Sequence, residues 1–167
     1  ESLICMGGVG TGKTHLVIAL GLKAVMSGKE VRFFQTADLA NKLLERNAKG
    51  TLGSFTRDLE SCDLLIVNEL GFLPLHRHAA ELLFQVIASC YERRSVAITT
   101  NLEFRQWNTV INDNRLTAAL IDRLVHHGHV LAFTGESYRL RYALSQLNGA
   151  GLNDDNASDR QALQFDH

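Results

Sequence analysis

The stretch that decides the fold spans residues 7 to 14 and reads Gly7-Gly8-Val9-Gly10-Thr11-Gly12-Lys13-Thr14. It matches the pattern G-x-x-x-x-G-K-[ST] at every defined position and lies between a short apolar run and a helical pattern, where a phosphate-binding loop belongs. Small residues let consecutive backbone N–H groups turn inward around a triphosphate. Lys13 is expected to reach the β- and γ-phosphates, and Thr14 to supply a hydroxyl ligand to Mg²⁺. The stretch predicts a site for ATP and Mg²⁺, and we include the adjacent His15 among the cofactor-binding candidates.

On both sides of this loop, short apolar runs alternate with helical patterns, which is typical of a parallel sheet flanked by helices. We therefore predict an α/β fold with three layers. Core strands are predicted at residues 3–6, 31–35, 64–67, 95–100 and 129–133, and an edge strand at 138–142. Helices are predicted at residues 12–27, 37–48, 79–91 and 115–127. The first of these helices is apolar on most sides, so we expect it to be wedged between layers.

The composition bounds the function classes. The chain has 167 residues, with 17 Lys plus Arg against 18 Asp plus Glu, so any contact with nucleic acid must come from a local patch. Three cysteines without motif spacing favour buried thiols in a reducing cytoplasm, and no apolar run is long enough to span a membrane. We expect one domain at residues 1–144 and a polar, disordered tail at 145–167. Because the chain opens on Glu1 with a strand already under way, we also expect the N-terminal part of the protein to be missing.

A second chemical signature ends the apolar run 64–67, which is followed by Asn68 and Glu69. Four apolar residues before two acidic ones form the second signature of P-loop proteins, in which the first acid holds Mg²⁺ and the second polarises the attacking water. Asn68 keeps the shape and a carbonyl acceptor but lacks the charge that holds the cation. A base is therefore expected at Glu69 beside a weakened metal site. Two outcomes stay open: ATP hydrolysis, or ATP binding with little turnover.

Two further candidates follow later in the chain. Asn101 comes after the strand 95–100 and can hydrogen-bond the attacking water or the γ-phosphate, although such a position also suits a turn residue. Arg123 interrupts a largely apolar helix and can stabilise charge on a transferring phosphoryl group. A surface ion pair with Asp122 is the alternative for that arginine.

In their order and spacing these elements resemble AAA+ ATPases. The amino-acid sequences of several segments are similar to those of the IstB-like transposition helper ATPases, with the DnaC helicase loader as a close relative. The segments that carry this similarity are 10–16, 68–75, 82–85, 100–104, 122–124 and 135–141, and the resemblance covers about residues 3 to 141.

The resemblance implies an AAA+ fold and an ATP-dependent homo-oligomer that binds DNA and assists a transposase. Asn101 then becomes the sensor 1 residue, and Arg123 the arginine finger that acts across a subunit interface. A replicative helicase is the alternative partner. A small-molecule kinase is disfavoured, because nothing resembles an arginine-rich lid over an acceptor site.

The resemblance also suggests where DNA binds, because the related loaders contact DNA through a helical insertion near the second predicted helix. Lys42, Arg46 and Lys49 share one face of that helix at i, i+4 and i+7, and Arg57 follows in a predicted turn region. These four residues are our candidates for phosphate contacts. A merely solvated helix face is the alternative.

Overall fold

The computed structural model describes residues 1–91, 93–126 and 128–147. Five parallel strands form one sheet in the order β2-β3-β4-β1-β5. In chain order they are β1 (Ser2–Gly7), β2 (Val31–Gln35), β3 (Leu64–Leu70), β4 (Ser95–Thr100) and β5 (Gly128–Phe133). The five predicted core strands are confirmed. The central strands are continuous apolar runs because both of their faces are covered, as in β3, where residues 64–67 are all buried.

Helices cover both faces of the sheet, which confirms the three-layer α/β prediction. In chain order they are α1 (Lys13–Met26), α2 (Thr36–Ala48), α3 (Leu52–Ser61), α4 (Arg77–Tyr91), α5 (Asn108–Ile111), α6 (Asn114–His126) and α7 (138–147), with a 3-10 turn at Phe104–Gln106. The larger core lies between the sheet and a layer that contains α2, α4 and α6, whereas a smaller core lies beneath α1.

Two elements differ from the sequence predictions. Helix α3 was not predicted, and it contains Arg57, which we had placed in a turn region. The predicted edge strand at 138–142 is wrong, because those residues begin α7. The Ser137 hydroxyl accepts a hydrogen bond from the Leu140 backbone N–H at 3.2 Å, as the N-cap of a helix does. This local bond pairs the Leu140 N–H within the helix, whereas in a strand the same N–H would need an acceptor on a neighbouring strand.

The prediction that α1 is wedged between layers is also wrong for the described part of the chain. Only Val17 and Gly21 of this helix are fully buried, while Leu22 and Met26 are 61% and 88% exposed. The helix packs one narrow stripe on the sheet, and its remaining apolar side chains face outward.

The boundary of the predicted tail falls inside a helix. Residues 145–147 continue α7, and residues 148–167 lie outside the described residues. Cys5, Cys62 and Cys90 are free and buried, as expected. Among the described residues, no helix combines the length and apolar character needed to cross a membrane.

Candidate functional site

The loops that follow β1, β3 and β4 meet at the carboxyl edge of the sheet and enclose a cavity of about 800 Å³. We call it the carboxyl-edge cavity. Predicted site residues from three separate segments line it, namely Val9 to His15, Glu69 and Asn101. An open sheet of parallel strands binds its ligands at this edge. The structure therefore brings most of the predicted nucleotide site together, although the role of each residue stays a prediction.

The P-loop (residues 7–14) has the backbone shape that its glycines allow. Gly10 has a φ of 77°, and a Cβ atom there would lie 2.1 Å from the Ser137 hydroxyl. The Tyr138 N–H donates to the Gly10 carbonyl at 3.0 Å, so the start of α7 rests on the loop. Helix α1 begins at Lys13 without a side-chain cap, which leaves its first N–H groups available to an anion.

Lys13 bends over the loop. Its ammonium donates to the carbonyls of Gly7 at 2.7 Å and Gly8 at 2.5 Å. Burial lowers the pKa of Lys13 from its ordinary value, the Arg139 cation lowers it further, and Cys5 and Glu69 act in the opposite direction. The Lys13 ammonium is therefore partly desolvated, which would strengthen its interaction with an anion such as a phosphate.

Asn68 and Glu69 lie in a β-bulge. Val67 pairs with Ile98 and Leu70 with Thr100, so two residues of β3 face only Thr99 on β4. The second of them, Glu69, has a left-handed φ of 61°, and its N–H donates to the Thr99 hydroxyl at 2.8 Å. Bulges of this kind redirect side chains beside functional sites. Here Glu69 is exposed in the wall of the cavity, whereas Asn68 is fully buried.

The Asn68 amide joins four elements through hydrogen bonds. Its Oδ1 accepts from the hydroxyls of Thr14 at 3.0 Å and Thr99 at 2.7 Å, and its Nδ2 donates to Gln35 Oε1 at 3.0 Å. The Thr36 hydroxyl donates to the Asn68 backbone carbonyl at 2.9 Å. We call Gln35, Asn68, Thr99 and Thr14 the amide network.

The oxygen donors at this point suit Mg²⁺. Thr14 lines the cavity, and its hydroxyl donates a hydrogen bond to the buried Asn68 Oδ1. Among the described residues, no cluster of three or more His, Cys, Asp and Glu side chains could hold a metal by itself. A single hydroxyl with a supporting amide fits the usual coordination of Mg²⁺, which binds few protein oxygens and takes its other ligands from phosphates and water. Thr14 would hold the ion, and Asn68 would support Thr14.

Arg139 belongs to the cavity wall although the sequence analysis did not select it as a site residue. It lies in the first turn of α7, beside Tyr138, and it is exposed. The edge strand predicted at 138–142 does not bring Arg139 to the P-loop, whereas the observed helix does. The available signal for the helix was Ser137 as an N-cap before leucines at 140, 144 and 147, whereas the position of Arg139 beside the P-loop follows from the tertiary contact between Tyr138 and Gly10.

Arg123 lies apart from the other candidates. It is exposed on α6, and its guanidinium lies 5.3 Å from the centre of the Phe84 ring. An arginine over an aromatic face remains free to direct its N–H groups at an anion.

The four predicted DNA contacts are all exposed on α2 and α3 or directly after α2. The Lys42 ammonium lies 5.1 Å from the Phe34 ring centre, and the Arg46 guanidinium lies 5.6 Å from that of Phe55. These two rings meet edge to face at 6.4 Å, so they anchor both cations on one surface. Lys49 forms an ion pair with Glu45 at 2.5 Å, which neutralises part of its charge. We call Lys42, Arg46, Lys49 and Arg57 the basic surface.

Comparisons with known sequences place this arrangement in a family. The IstB-like ATP binding protein family matches residues 1–146. The ATP-binding protein named for insertion sequence IS5376 of Geobacillus stearothermophilus is 38% identical over 141 residues, covering 84% of this chain and 56% of the relative. Its counterpart named for IS21 of Pseudomonas aeruginosa is 39% identical over 141 residues, covering 84% and 53%. The chain thus spans somewhat more than half the length of these relatives.

Solved structures show the same fold. The DnaC helicase loader aligns with a TM-score of 0.70 at 22% identity, covering 80% of this chain and 78% of that chain. AMPPCP-bound DnaA from Aquifex aeolicus aligns with a TM-score of 0.66 at 25% identity, covering 78% and 39%. These likenesses show a P-loop fold of the AAA+ type. Since the family match includes every residue that forms the carboxyl-edge cavity, the chain belongs to the IstB-like ATP binding proteins.

Proposed function

We propose that the protein binds ATP with Mg²⁺ in the carboxyl-edge cavity, assembles on DNA and assists a transposase in the cytoplasm. The observation that carries the nucleotide part is the convergence of Lys13, Thr14, Glu69 and Asn101 on one cavity below the N-terminus of α1. Backbone donors, a cation, a hydroxyl and a carboxylate are what a bound and reacting triphosphate requires. Arg139 adds a second cation to the same wall.

Hydrolysis would use Lys13 of the P-loop together with Glu69 and Asn101 on the other wall of the cavity. Water attacks the γ-phosphorus, the bond to the β,γ-bridging oxygen breaks, and Glu69 accepts the proton of the water. Asn101 orients that water, while Lys13 holds the β- and γ-phosphates. Mg²⁺, when bound, supplies the positive charge that offsets the phosphate oxygens. Glu69 suits its task, because the bulge exposes its carboxylate on the wall that it shares with Lys13.

A second candidate function is an ATP-gated DNA-binding module with little turnover, and Asn68 is the observation that favours it. A neutral amide behind Thr14 supplies less attraction for a cation than a carboxylate does. Turnover measured with DNA present, for wild type and Asn68→Asp, separates the two. Hydrolysis by wild type, raised in the variant, supports the ATPase. If wild type binds ATP but does not hydrolyse it, the ATP-gated DNA-binding module is the correct function. Equal rates of hydrolysis in wild type and Asn68→Asp would show that Asn68 does not limit turnover.

Arg123 is proposed to complete the cavity of a neighbouring copy in a homo-oligomer. Arg123 is exposed on α6 and is held over the Phe84 ring, which supports a contact with the nucleotide bound by a neighbouring copy. Lys13→Ala and Arg123→Ala, each inactive alone, should recover part of the turnover when mixed, since one copy then supplies the nucleotide and the other the arginine. An Arg123→Ala protein as active as wild type would remove the residue from this role.

The proposal of a transposase as the partner rests on the insertion sequences for which the relatives are named. A replicative helicase is the alternative, supported by the likeness to a helicase loader, which concerns fold alone. Co-purification of the protein with the transposase encoded next to its gene tests the first. A neighbourhood of replication genes, with capture of the helicase instead, would favour the second.

A further inference from the structure

Gln35 joins the amide network from a strand that contributes no residue to the lining of the carboxyl-edge cavity. It is the last residue of β2 and pairs in register with Asn68 on β3, so the two side chains lie on the same face of adjacent strands. Its Oε1 accepts the Asn68 Nδ2 hydrogen at 3.0 Å. Gln35 lies outside the cavity lining, and it would therefore act through Asn68 on anything bound there.

The orientation of the Asn68 amide decides what the Thr14 hydroxyl can do. Because Asn68 Oδ1 accepts the Thr14 hydrogen, the lone pairs of the Thr14 oxygen stay free for a cation in the cavity. A reversed amide would donate from Nδ2 to that oxygen. The Thr14 hydrogen would then have to point toward the cavity, where it would repel a cation.

Two contacts hold the amide in the useful orientation. Thr99 accepts the Glu69 N–H, so its own hydrogen is directed to Asn68 Oδ1. Gln35 Oε1 accepts at the other end, so the Asn68 Nδ2 hydrogen that this orientation directs there is paired. Because Asn68 is fully buried, an Nδ2 hydrogen left without an acceptor is costly.

We propose that Gln35 is a positioning residue for Mg²⁺, acting through Asn68 and Thr14. The inference rests on the proposed function, because it assumes that Mg²⁺ binds with ATP at Thr14. Gln35 touches neither the nucleotide nor the ion. Its effect is confined to the gain in nucleotide affinity that Mg²⁺ provides.

The test compares the affinity of a fluorescent ATP analogue in Mg²⁺ and in EDTA for wild type, Gln35→Met and Gln35→Glu. Methionine keeps the length of the side chain but removes the amide acceptor. Gln35→Met should bind in EDTA within about twofold of wild type and lose about three- to tenfold of the Mg²⁺ gain, the size of one buried hydrogen bond. Gln35→Glu retains an acceptor and should restore the gain. An undiminished gain in Gln35→Met overturns the proposal.

Thr36→Val is the matched control, because it also removes a hydrogen bond to residue 68, although one to the backbone carbonyl. It should lower the melting temperature and leave the Mg²⁺ gain unchanged. An equal loss of the gain in Thr36→Val would mean that any loosening of β3 has this effect, which also overturns the proposal. If wild type itself fails to bind the analogue, the proposed function fails instead. If it binds but shows no Mg²⁺ gain, the assumption about the ion fails, and so does the role of Gln35.

Discussion

The carboxyl-edge cavity has two halves that share Thr14 and are built in opposite ways: the P-loop, and the bulge at Glu69 with the amide network behind it. The P-loop is one contiguous segment whose carbonyls hold Lys13 and whose shape depends on glycine conformations. The amide network is assembled from β2, β3, β4 and α1, and side chains make its contacts, with Asn68 fully buried. A backbone site can be recognised from spacing alone, whereas a side-chain network depends on the register between strands. The P-loop should determine the affinity for the nucleotide. The bulge and the amide network should determine how Mg²⁺ binds and how the attacking water is oriented.

The largest effect should come from the P-loop half. Lys13→Ala should weaken ATP binding about 100-fold, because it removes charge-assisted hydrogen bonds to two phosphates. Its folding should change little, since the hydrogen bonds that the Lys13 ammonium makes within the described residues go to the half-buried Gly7 carbonyl and the exposed Gly8 carbonyl. Titration with a fluorescent ATP analogue in EDTA measures this without the metal.

Lys23→Ala is the control for that titration, because Lys23 is an exposed lysine in the last turn of the same helix. It should leave ATP affinity unchanged. If Lys13→Ala binds ATP as well as the control does, the assignment of nucleotide affinity to the P-loop is wrong.

The turn behind the bulge offers a test of the second half through stability. Gly71 has a φ of 98°, and a Cβ atom there would lie 2.5 Å from Leu102 Cδ1. Gly71→Ala should lower the free energy of unfolding by about 2 kcal/mol or more, combining left-handed strain with crowding. Urea denaturation measures the change.

Gly50→Ala isolates the strain from the crowding. Gly50 has a φ of 68°, but a Cβ atom there would meet nothing within 4 Å. The expected cost is about 1 kcal/mol, from the left-handed backbone alone. Equal losses in the two variants would show that Leu102 gives way easily and that the turn after Glu69 is less rigid than its packing indicates.

Much of the architecture could be predicted from the sequence because local patterns carried it. The runs 31–35 and 95–100 coincide with β2 and β4. Residues 138–142 were predicted as an edge strand but begin α7: Tyr138, Leu140 and Tyr142 alternate with polar residues as in a strand, whereas the Ser137 cap favours the helix that forms. The bulge at Glu69 could not be predicted, because the hydroxyl that holds its N–H comes from Thr99 on another strand. The role of Gln35 could not be predicted for the same reason, because it depends on the register that pairs Gln35 with Asn68 on the adjacent strand.

The basic surface tests whether the spacing of charged residues along one stretch of sequence can predict a DNA-binding site. Lys42→Ala with Arg46→Ala should weaken DNA binding about tenfold near physiological salt and reduce the slope of log affinity against log salt by about 2 on a duplex, for two phosphate contacts. Fluorescence anisotropy across a salt series measures both quantities.

Lys23→Ala with Arg93→Ala removes the same charge from exposed positions outside the basic surface, so it controls for net charge. It should leave the salt slope nearly unchanged. An unaltered slope in the Lys42 and Arg46 variant would exclude this surface from phosphate contact, and the cations would then serve only their aromatic neighbours Phe34 and Phe55.

The smallest effect concerns the charge of Lys13, which is the point where the two halves of the cavity meet. Burial is the main cause that lowers the pKa of Lys13 below its ordinary value, and Glu69 acts in the opposite direction. A bound phosphate stabilises the charged form, so ATP affinity should be constant at neutral pH and fall several-fold as pH rises through the lowered pKa of the free protein. In Lys13→Arg the guanidinium stays charged over this range, and the decline should be absent. Replacing Glu69 with Gln removes the opposing charge and should move the decline to lower pH. A decline at the same pH in that variant would mean that the two halves of the cavity bind ATP without electrostatic coupling.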